Sequence, residues 1–173
     1  MKQLSLLSLA LLFLCGAICL PSCMKDTEPP LIAGTWLIDT SRTSITIYTT
    51  QDASFDHPEL YDKIKGVVSA VRNTLKNPKK IILTTDSTFR FEDSYGDIVT
   101  TGQYEQYGNI VAFFSPAYPD GLHGASDGTV FELYYGKNDI LSRLSYFLML
   151  NPEEQEIFTG MITDAQGFAT FFR

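Results

Sequence analysis

The sequence predicts a mainly β protein: an antiparallel up-and-down β-barrel of about nine or ten strands with one inserted amphipathic α-helix. Three observations predict this fold class. Residues 79–115 alternate β-branched and aromatic runs with short turns of Asp, Ser, Gly and Asn, as an antiparallel meander does. Residues 58–76 carry apolar side chains at helical spacing, and residues 129–150 add further apolar runs. A sheet of this many strands is expected to close, because closure removes its exposed edges.

Composition places the chain among single-domain globular proteins. Its 173 residues are 45% hydrophobic and 13% aromatic, which is enough for a packed core and too apolar for a disordered chain. The net charge of -7, without a cluster of Lys or Arg, argues against nucleic acid as a partner. Cys15, Cys19 and Cys23 all precede the predicted barrel, so the domain has neither disulfides nor thiolate metal sites.

The start of the chain predicts a cleaved signal peptide over residues 1–22. Lys2 gives a short positive start, and residues 4–20 form an apolar run. This run approaches the length that spans a membrane, so a retained single helix is the alternative. The small residue Ser22, followed directly by a cysteine, favours cleavage.

Leu20, Ser22 and Cys23 resemble the lipobox of bacterial lipoproteins. The resemblance implies that Cys23 is lipidated and anchors the mature chain in the cell envelope. The expected location is the outer membrane, at its periplasmic face or at the cell surface. Residues 23–31 then form the lipidated cysteine and a polar linker. Residues 25–28 also resemble the charged surface-export signals of Bacteroidetes lipoproteins, and a solvated linker fits them equally well.

Residues 32–173 form the predicted barrel domain. Residues 33–39 and 44–49 alternate in polarity and predict the first two strands. The helix over residues 58–76 follows, and an Asn-Pro pair directly after it ends it. We expect this helix to lie as a lid or flank across the open end or the side of the sheet, with a partner-binding helix as the alternative.

The second half of the domain predicts a long loop and further strands. Residues 115–128 are rich in Pro, Gly and Asp and predict one long irregular loop. Residues 129–135 and 141–150 are apolar on both faces and predict two strands. The last segment, 158–172, fits a closing hairpin, with a helix over residues 154–161 as the alternative.

Several of these residues resemble a known family. The Gly-x-Trp at residues 34–36 resembles the opening motif of lipocalins and lipocalin-like domains. Residues 84–91, 102–104 and 108–110 resemble the recurring Thr-x-Asp-x-Thr-Phe, Gly-x-Tyr and Gly-Asn pattern of lipocalin-like lipoproteins from Bacteroidetes. The resemblance covers roughly residues 31–115 and consists of turn and core residues. It therefore supports the fold more than any activity.

No residue pattern predicts catalysis, and the protein is not expected to be an enzyme or to hold a cofactor. His57 and His123 lie far apart in the sequence, and no cluster of carboxylates and histidines predicts a metal site. The sequence has neither a nucleophile elbow nor a phosphate-cradling glycine loop. Only a pair among Asp93, Asp97, His123 and Glu132 gathered in one cleft would indicate an active site.

Aromatic residues on the predicted strands point to a binding function. One face of a closed sheet points inward, so these rings either line a cavity or fill the interior. The first hypothesis is a lipid-anchored lipocalin-like protein of the cell envelope that buries a small hydrophobic ligand in or at the mouth of the barrel. The predicted ligand-binding residues are Trp36, Phe89, Phe91, Tyr104, Tyr118, Leu122 and Tyr146.

The alternative hypothesis is a non-enzymatic interaction module. Its barrel would be filled by side chains, and its helix or outer sheet face would bind an envelope protein or a glycan. An exposed patch of Tyr48, Tyr134 and Tyr135 would favour this module over the ligand carrier. The expected partners are therefore a small hydrophobic ligand, the membrane through the lipid anchor, and an envelope protein.

Overall fold

The computed structural model describes residues 29–173, which form a closed barrel of eight antiparallel strands. Each strand pairs with the next one along the chain, and the last pairs with the first. The predicted fold class, a mainly β up-and-down barrel, is confirmed. The signal peptide and the lipidation site at Cys23 lie outside the described residues and stay predictions.

The strands are β1 (Gly34–Thr49), β2 (Lys80–Leu83), β3 (Thr88–Glu92), β4 (Ile98–Tyr107), β5 (Ile110–Ser115), β6 (Tyr118–Ser126), β7 (Val130–Tyr135) and β8 (Ile162–Phe172). The helices of the described residues are α1 (Ala53–Asp56), α2 (Pro58–Thr74), α3 (Lys137–Leu148) and α4 (Pro152–Met161). The barrel thus has fewer strands than predicted and more helices than the single one expected. None of these helices is long and apolar enough to cross a membrane.

The helix predicted over residues 58–76 is confirmed as α2. Pro58 occupies its first turn, where a missing backbone N–H removes no hydrogen bond. Leu60, Ile64 and Val71 are buried on one side of the helix and belong to the core of the domain. The apolar stripe therefore covers the barrel, as the predicted lid or flank requires.

One long strand replaces the two strands predicted at the start of the domain. β1 pairs with β8 on both sides of a register shift between Asp39 and Ser44. In this bulge the Asp39 carboxylate accepts a hydrogen bond from the Ser41 N–H at 2.8 Å. The polar residues that look like a turn in the sequence are therefore a β-bulge, which bends the strand without ending it.

The strand predicted over residues 141–150 is wrong, because most of these residues belong to α3. Ile140 and Leu144 are fully buried and lie one helical turn apart on the same face. The alternation of Leu144, Tyr146 and Leu148 fits a strand over these few positions, but burial follows the helical period. Tyr146 is accordingly 75% exposed on the outside of the helix.

The closing hairpin predicted over residues 158–172 is also wrong. Its first part belongs to α4, which confirms the alternative of a helix over residues 154–161. A capping box starts this helix: the Asn151 side chain accepts from the Glu154 N–H at 2.9 Å, and the Glu154 carboxylate accepts from the Asn151 N–H at 3.2 Å. The remaining residues form the single strand β8, which pairs with both β1 and β7.

The long loop predicted over residues 115–128 contains β6. Its glycines, which argue against a strand in the sequence, provide space inside the barrel. A Cβ atom on Gly124 would lie 2.7 Å from Cε1 of Phe131 and 2.8 Å from the carbonyl oxygen of Glu132. Glycine at this position therefore lets the ring of Phe131 lie against β6, while Leu122 of the same strand is buried in the core.

Aromatic side chains pack against one another across the interior of the barrel. The ring centroid of Trp36 lies 5.5 Å from that of Phe131, and the centroid of Phe131 lies 5.7 Å from that of Phe113. Phe113 in turn is 5.0 Å from Phe89, which is 4.7 Å from Phe91. Such separations are those of rings in direct contact. An unbroken series of rings therefore crosses the interior from β1 to β3.

The helices close one end of the barrel. Leu75, just after α2, and Ile140 of α3 reach over Gly167 of β8, where a Cβ atom would lie 2.5 and 3.0 Å from their Cδ1 atoms. Arg143 of α3 donates a hydrogen bond to Thr74 Oγ1 at 2.9 Å and ties the two helices together. We call this side of the barrel the helical end.

The segment before β1 closes the opposite end. Ile32 is buried, and its carbonyl accepts a hydrogen bond from the Trp36 indole N–H at 2.8 Å. The Gln106 side chain donates to the Pro30 carbonyl at 2.9 Å. The Arg173 guanidinium donates to two further carbonyls of this segment, each at 2.7 Å. The N-terminal segment is therefore fixed against the rim of the barrel.

Gly102→Ala is expected to destabilise the barrel strongly. A Cβ atom there would lie 2.0 Å from the carbonyl oxygen of Phe114, so β4 and β5 would have to separate. Gly66→Ala in α2 is the matched control, because nothing lies within 4 Å of its Cβ position. Alanine inside a helix is favoured over glycine by about 0.5–1 kcal/mol. Urea denaturation should give a lower midpoint for the first variant and a higher one for the second, whereas equal midpoints would refute this strand register.

Glu92 is a buried acid on the outer side of β3. Its carboxylate pairs with Lys80 of β2 and, at 2.7 Å, with Nε of Arg90. The hydrogen bond from Lys80 and the charge of Arg90 lower the pKa of Glu92 below its ordinary value. The ionised carboxylate therefore stabilises the contact between β2 and β3.

Glu92→Gln is expected to weaken the pH dependence of folding. A lowered pKa in the folded state means that the ionised carboxylate stabilises the fold above its ordinary pKa of 4.5. This contribution is lost as the pH falls through the folded-state pKa. The stability advantage of the unmodified protein over the variant should therefore shrink from neutral to acidic pH in a denaturation series. A difference that stays constant across the series would show that Glu92 is not linked to folding.

Candidate functional site

Most of the predicted ligand-binding residues lie inside the barrel. Trp36, Phe89, Phe91, Tyr104 and Leu122 are all buried, with exposed fractions of 8% or less. They belong to one continuous hydrophobic core. The structure therefore brings these residues together, and their role in binding a ligand stays a prediction.

Tyr118 and Tyr146 lie apart from this group. Tyr118 is half-buried near the helical end, with its ring centroid 6.5 Å from that of Phe91. Tyr146 lies on the outside of α3, so the prediction that places it in the barrel is wrong. The helical period of its segment turns the side chain towards solvent.

Two buried hydroxyl groups at the helical end have no hydrogen-bond partner within residues 29–173: Tyr135 Oη and Ser115 Oγ. The Arg143 guanidinium lies 5.1 Å from the ring centroid of Tyr135. Burial raises the pKa of Tyr135 and that of Tyr118, so both phenols are protonated at neutral pH. Buried hydroxyls are normally paired with protein or water, so these two groups offer unused hydrogen-bonding capacity.

An open groove of about 630 Å³ runs along the outer face of β4. Gln103, Glu105 and Tyr107 face outward on β4 because they alternate with inward-facing residues, and Phe114 of β5 pairs with Gln103. The turn between β2 and β3 completes the wall. We call this feature the β4 groove and define it by the residues that line it: Asp86, Ser87, Gln103, Tyr104, Glu105, Gln106, Tyr107 and Phe114.

The β4 groove is acidic. The Asp86 carboxylate accepts hydrogen bonds from the hydroxyls of Thr84 and Thr88. These bonds lower the pKa of Asp86, so it is ionised at neutral pH. The Glu105 carboxylate accepts a hydrogen bond from the Tyr107 phenol at 2.5 Å. No Lys or Arg of the described chain lines this groove.

Two aromatic rings border the groove and are open to solvent. Tyr107 is 66% exposed and Phe114 is 38% exposed. The strand register pairs Gln103 with Phe114 and Tyr107 with Ile110. The two rings are therefore four positions apart along the sheet, about 13 Å at the rise of a β-strand. Each end of the groove carries a ring, and polar groups lie between them.

A second groove of about 530 Å³ continues across the outer face of β2 and β3. It shares Gln103 with the β4 groove. Thr88, Arg90 and Thr101 are among its lining residues, and Arg90 is paired with Glu92. The two grooves together form one track along the outside of the barrel.

Of the residues that line the β4 groove, only Tyr104 is predicted from the sequence as a ligand-binding residue. The sequence of β4 does contain one indication of a binding surface. Tyr107 shares the outer face of β4 with Gln103 and Glu105, where a third polar side chain would be usual. Phe114, in contrast, joins the groove only through the register of β4 and β5, which a single sequence does not reveal.

The four residues that would indicate an active site lie in two places. Asp93 and Asp97 meet at the β3–β4 turn, where the Asp93 carboxylate accepts from the Asp97 N–H at 3.0 Å. His123 and Glu132 lie away from that turn, at diagonal positions on the paired strands β6 and β7. Within the described part of the chain, no group of three or more His, Cys, Asp or Glu could hold a metal ion.

The three tyrosines chosen as a diagnostic do not form one exposed patch. Tyr48 is 48% exposed, Tyr134 is half-buried and Tyr135 is buried. The Tyr134 ring packs edge-on against Phe168 at 5.2 Å. This criterion therefore gives no support to the interaction module, although Tyr48 itself is an exposed ring.

Comparisons with known proteins add no relative. No protein-family model, no curated protein and no solved structure matches the chain. The fold and site define an eight-stranded up-and-down β-barrel with aromatic rings in contact across its interior and an open outer groove. The resemblance to lipocalin-like lipoproteins stays a prediction from the sequence.

Tyr104→Phe and Tyr135→Phe are expected to have different effects on stability. The Tyr104 phenol donates to the Thr84 carbonyl at 2.7 Å, so its removal should cost about 1 kcal/mol. The Tyr135 phenol has no partner among the described residues, so its removal should be neutral or stabilising. Urea denaturation measures both changes. A clear loss of stability for Tyr135→Phe would instead indicate a bound water or small molecule at this hydroxyl.

Proposed function

We propose that this protein is a lipid-anchored, non-enzymatic binding module of the cell envelope, which recognises its partner on the outside of a filled barrel. The observation that supports this best is the unbroken contact of rings from Trp36 to Phe91 across the interior. The anchor rests on the lipobox resemblance at Cys23. Because aromatic side chains occupy the interior, a partner would bind to the outer surface of the barrel.

Admission of a ligand to the interior would be costly. Each buried aromatic side chain covers about 150–250 Å² of apolar surface, at roughly 25 cal/mol per Å². A ligand the size of a fatty chain would have to displace several rings from contact, and Phe89, Phe113 and Phe131 each touch two or more others. The closed ends add Leu75 and Ile140 at one side and Ile32 at the other.

An anchor at Cys23 would orient the barrel. The N-terminal segment contacts the barrel from Pro30 onward, through the hydrogen bond that Gln106 donates to its carbonyl. Residues 23–29 can span at most about 25 Å when fully extended. The end bearing this segment would therefore stay near the membrane, the helical end would point away from it, and the β4 groove on the side wall would remain accessible.

A second candidate function is the binding of a small hydrophobic molecule at the helical mouth of the barrel. The hydroxyls of Tyr135 and Ser115, which have no partner among residues 29–173, favour it, and Tyr118 lies near the same end. Such a ligand would bring a polar group to these hydroxyls and would displace Leu75 or Ile140 from the mouth. It would occupy the edge of the core and not its centre.

Native mass spectrometry distinguishes the two candidates. The full chain, purified in mild detergent from membranes of the cells that produce it, is expected to show the mass of the lipidated protein alone. Organic extraction should release no other apolar molecule, because the rings occupy the interior. An apolar molecule that co-purifies in stoichiometric amount would refute the filled barrel and support the second candidate. A protein that carries no acyl mass would refute the anchor.

A further inference from the structure

We infer that the β4 groove binds a neutral glycan chain. This inference rests on the proposed function, recognition of a partner on the outside of the barrel, and names the partner's chemistry. The occupant is identified from the rings, the polar groups and the charge of the groove, taken in turn.

The rings suit the faces of sugar units. A sugar ring presents C–H groups on its faces, and these pack on aromatic side chains, which combine an apolar body with a fixed geometry. Tyr107 and Phe114 are exposed on the same side of the sheet, one near each end of the groove. Tyr107 is also held in place, because its phenol donates to Glu105. A ring already fixed by such a bond loses little conformational entropy on binding.

The polar groups between the rings suit hydroxyls. Each sugar hydroxyl both donates and accepts hydrogen bonds. The carboxylates of Asp86 and Glu105 accept, the Gln103 amide does both, and so does the Ser87 hydroxyl. A neutral polyhydroxylated chain can satisfy all of these groups at once, whereas a Lys or Arg side chain can only donate.

The charge of the groove excludes anionic occupants. Asp86 and Glu105 repel phosphate, sulfate and uronate groups, and no cation of the described chain lines the β4 groove to offset them. A neutral glycan is therefore favoured over an acidic polysaccharide and over nucleic acid. A basic peptide meets the charge, and its backbone carbonyls can accept from Gln103 and Ser87. Its Lys side chains, however, have no ring face to pack on Tyr107 and Phe114, so it is the weaker candidate.

The length of the track indicates a chain and not a single sugar. The rings of Tyr107 and Phe114 are about 13 Å apart along the strands. The second groove extends the surface past Gln103 towards Thr88 and Thr101. Several consecutive sugar units would therefore contact the barrel, each weakly, and together they would bind through added contacts.

The test uses the full chain in mild detergent on an array of neutral and acidic glycans, followed by affinity electrophoresis in soluble β-glucan, galactomannan and starch-type α-glucan. We expect binding to at least one neutral polysaccharide and none to dextran sulfate. Tyr107→Ala and Gln103→Ala should each weaken this binding about tenfold or more, because each removes a direct contact. Both side chains are exposed, so thermal melting should stay unchanged.

Tyr95→Ala is the matched control. Tyr95 is 89% exposed in the β3–β4 turn, away from the β4 groove, so its removal should leave glycan binding unchanged. Binding that survives both Tyr107→Ala and Gln103→Ala, or no binding to any neutral glycan, overturns the inference. Binding to oligolysine in place of glycans also overturns it but leaves recognition on the outer face intact. An apolar molecule found inside the barrel refutes the proposed function instead.

Discussion

The fit of aromatic rings against glycines inside an eight-stranded barrel is the constraint on which the rest of the structure depends. A barrel of this strand number has an interior just wide enough for side chains to fill. Phe89 lies where a Cβ on Gly102 would be 2.8 Å from its ring, and Phe131 has the same relation to Gly124 at 2.7 Å. A large ring on one strand therefore requires a glycine at the facing position of the neighbouring strand. The helices, the N-terminal segment and the β4 groove all surround this aromatic core.

Local patterns were sufficient for the meander and for α2, and insufficient for the last third of the domain. Along residues 80–115 each strand shows its own alternation and its own turn residues, so no distant information is needed. Residues 141–150 fit both a strand and a helix over a short window, and only the need to cover the barrel end decides for the helix. Gly124 looks like a loop residue because the ring that fills its space comes from a strand further along the chain.

The candidate site likewise has a part that local sequence patterns predict and a part that they do not. Alternation along a strand is enough to predict that Phe89 and Phe91 share the inside of the barrel, whereas Leu122 lies in a segment whose composition predicts a loop. Whether the interior contains a cavity depends on the combined volume of side chains from several strands. This volume cannot be predicted from any single segment of the sequence. Predicting the β4 groove would require further information. It depends on the strand register that places Phe114 beside Gln103 and on the conformation of the turn at Asp86. Among the outward-facing groove residues, only Tyr107 could have been selected from the sequence, because it is an aromatic residue on a polar face of a strand.

The pairing of β1 with β8 gives the barrel a seam that joins the two ends of the domain. The ribosome makes the strand that seals it after all the others, so a growing chain carries two unpaired edges until β8 emerges. Such edges are open to wrong pairing, and contacts between distant segments form slowly. A chain cut short within β8 would keep nearly its whole hydrophobic content and still lack closure, which makes truncation at this end a route to aggregation and proteolysis.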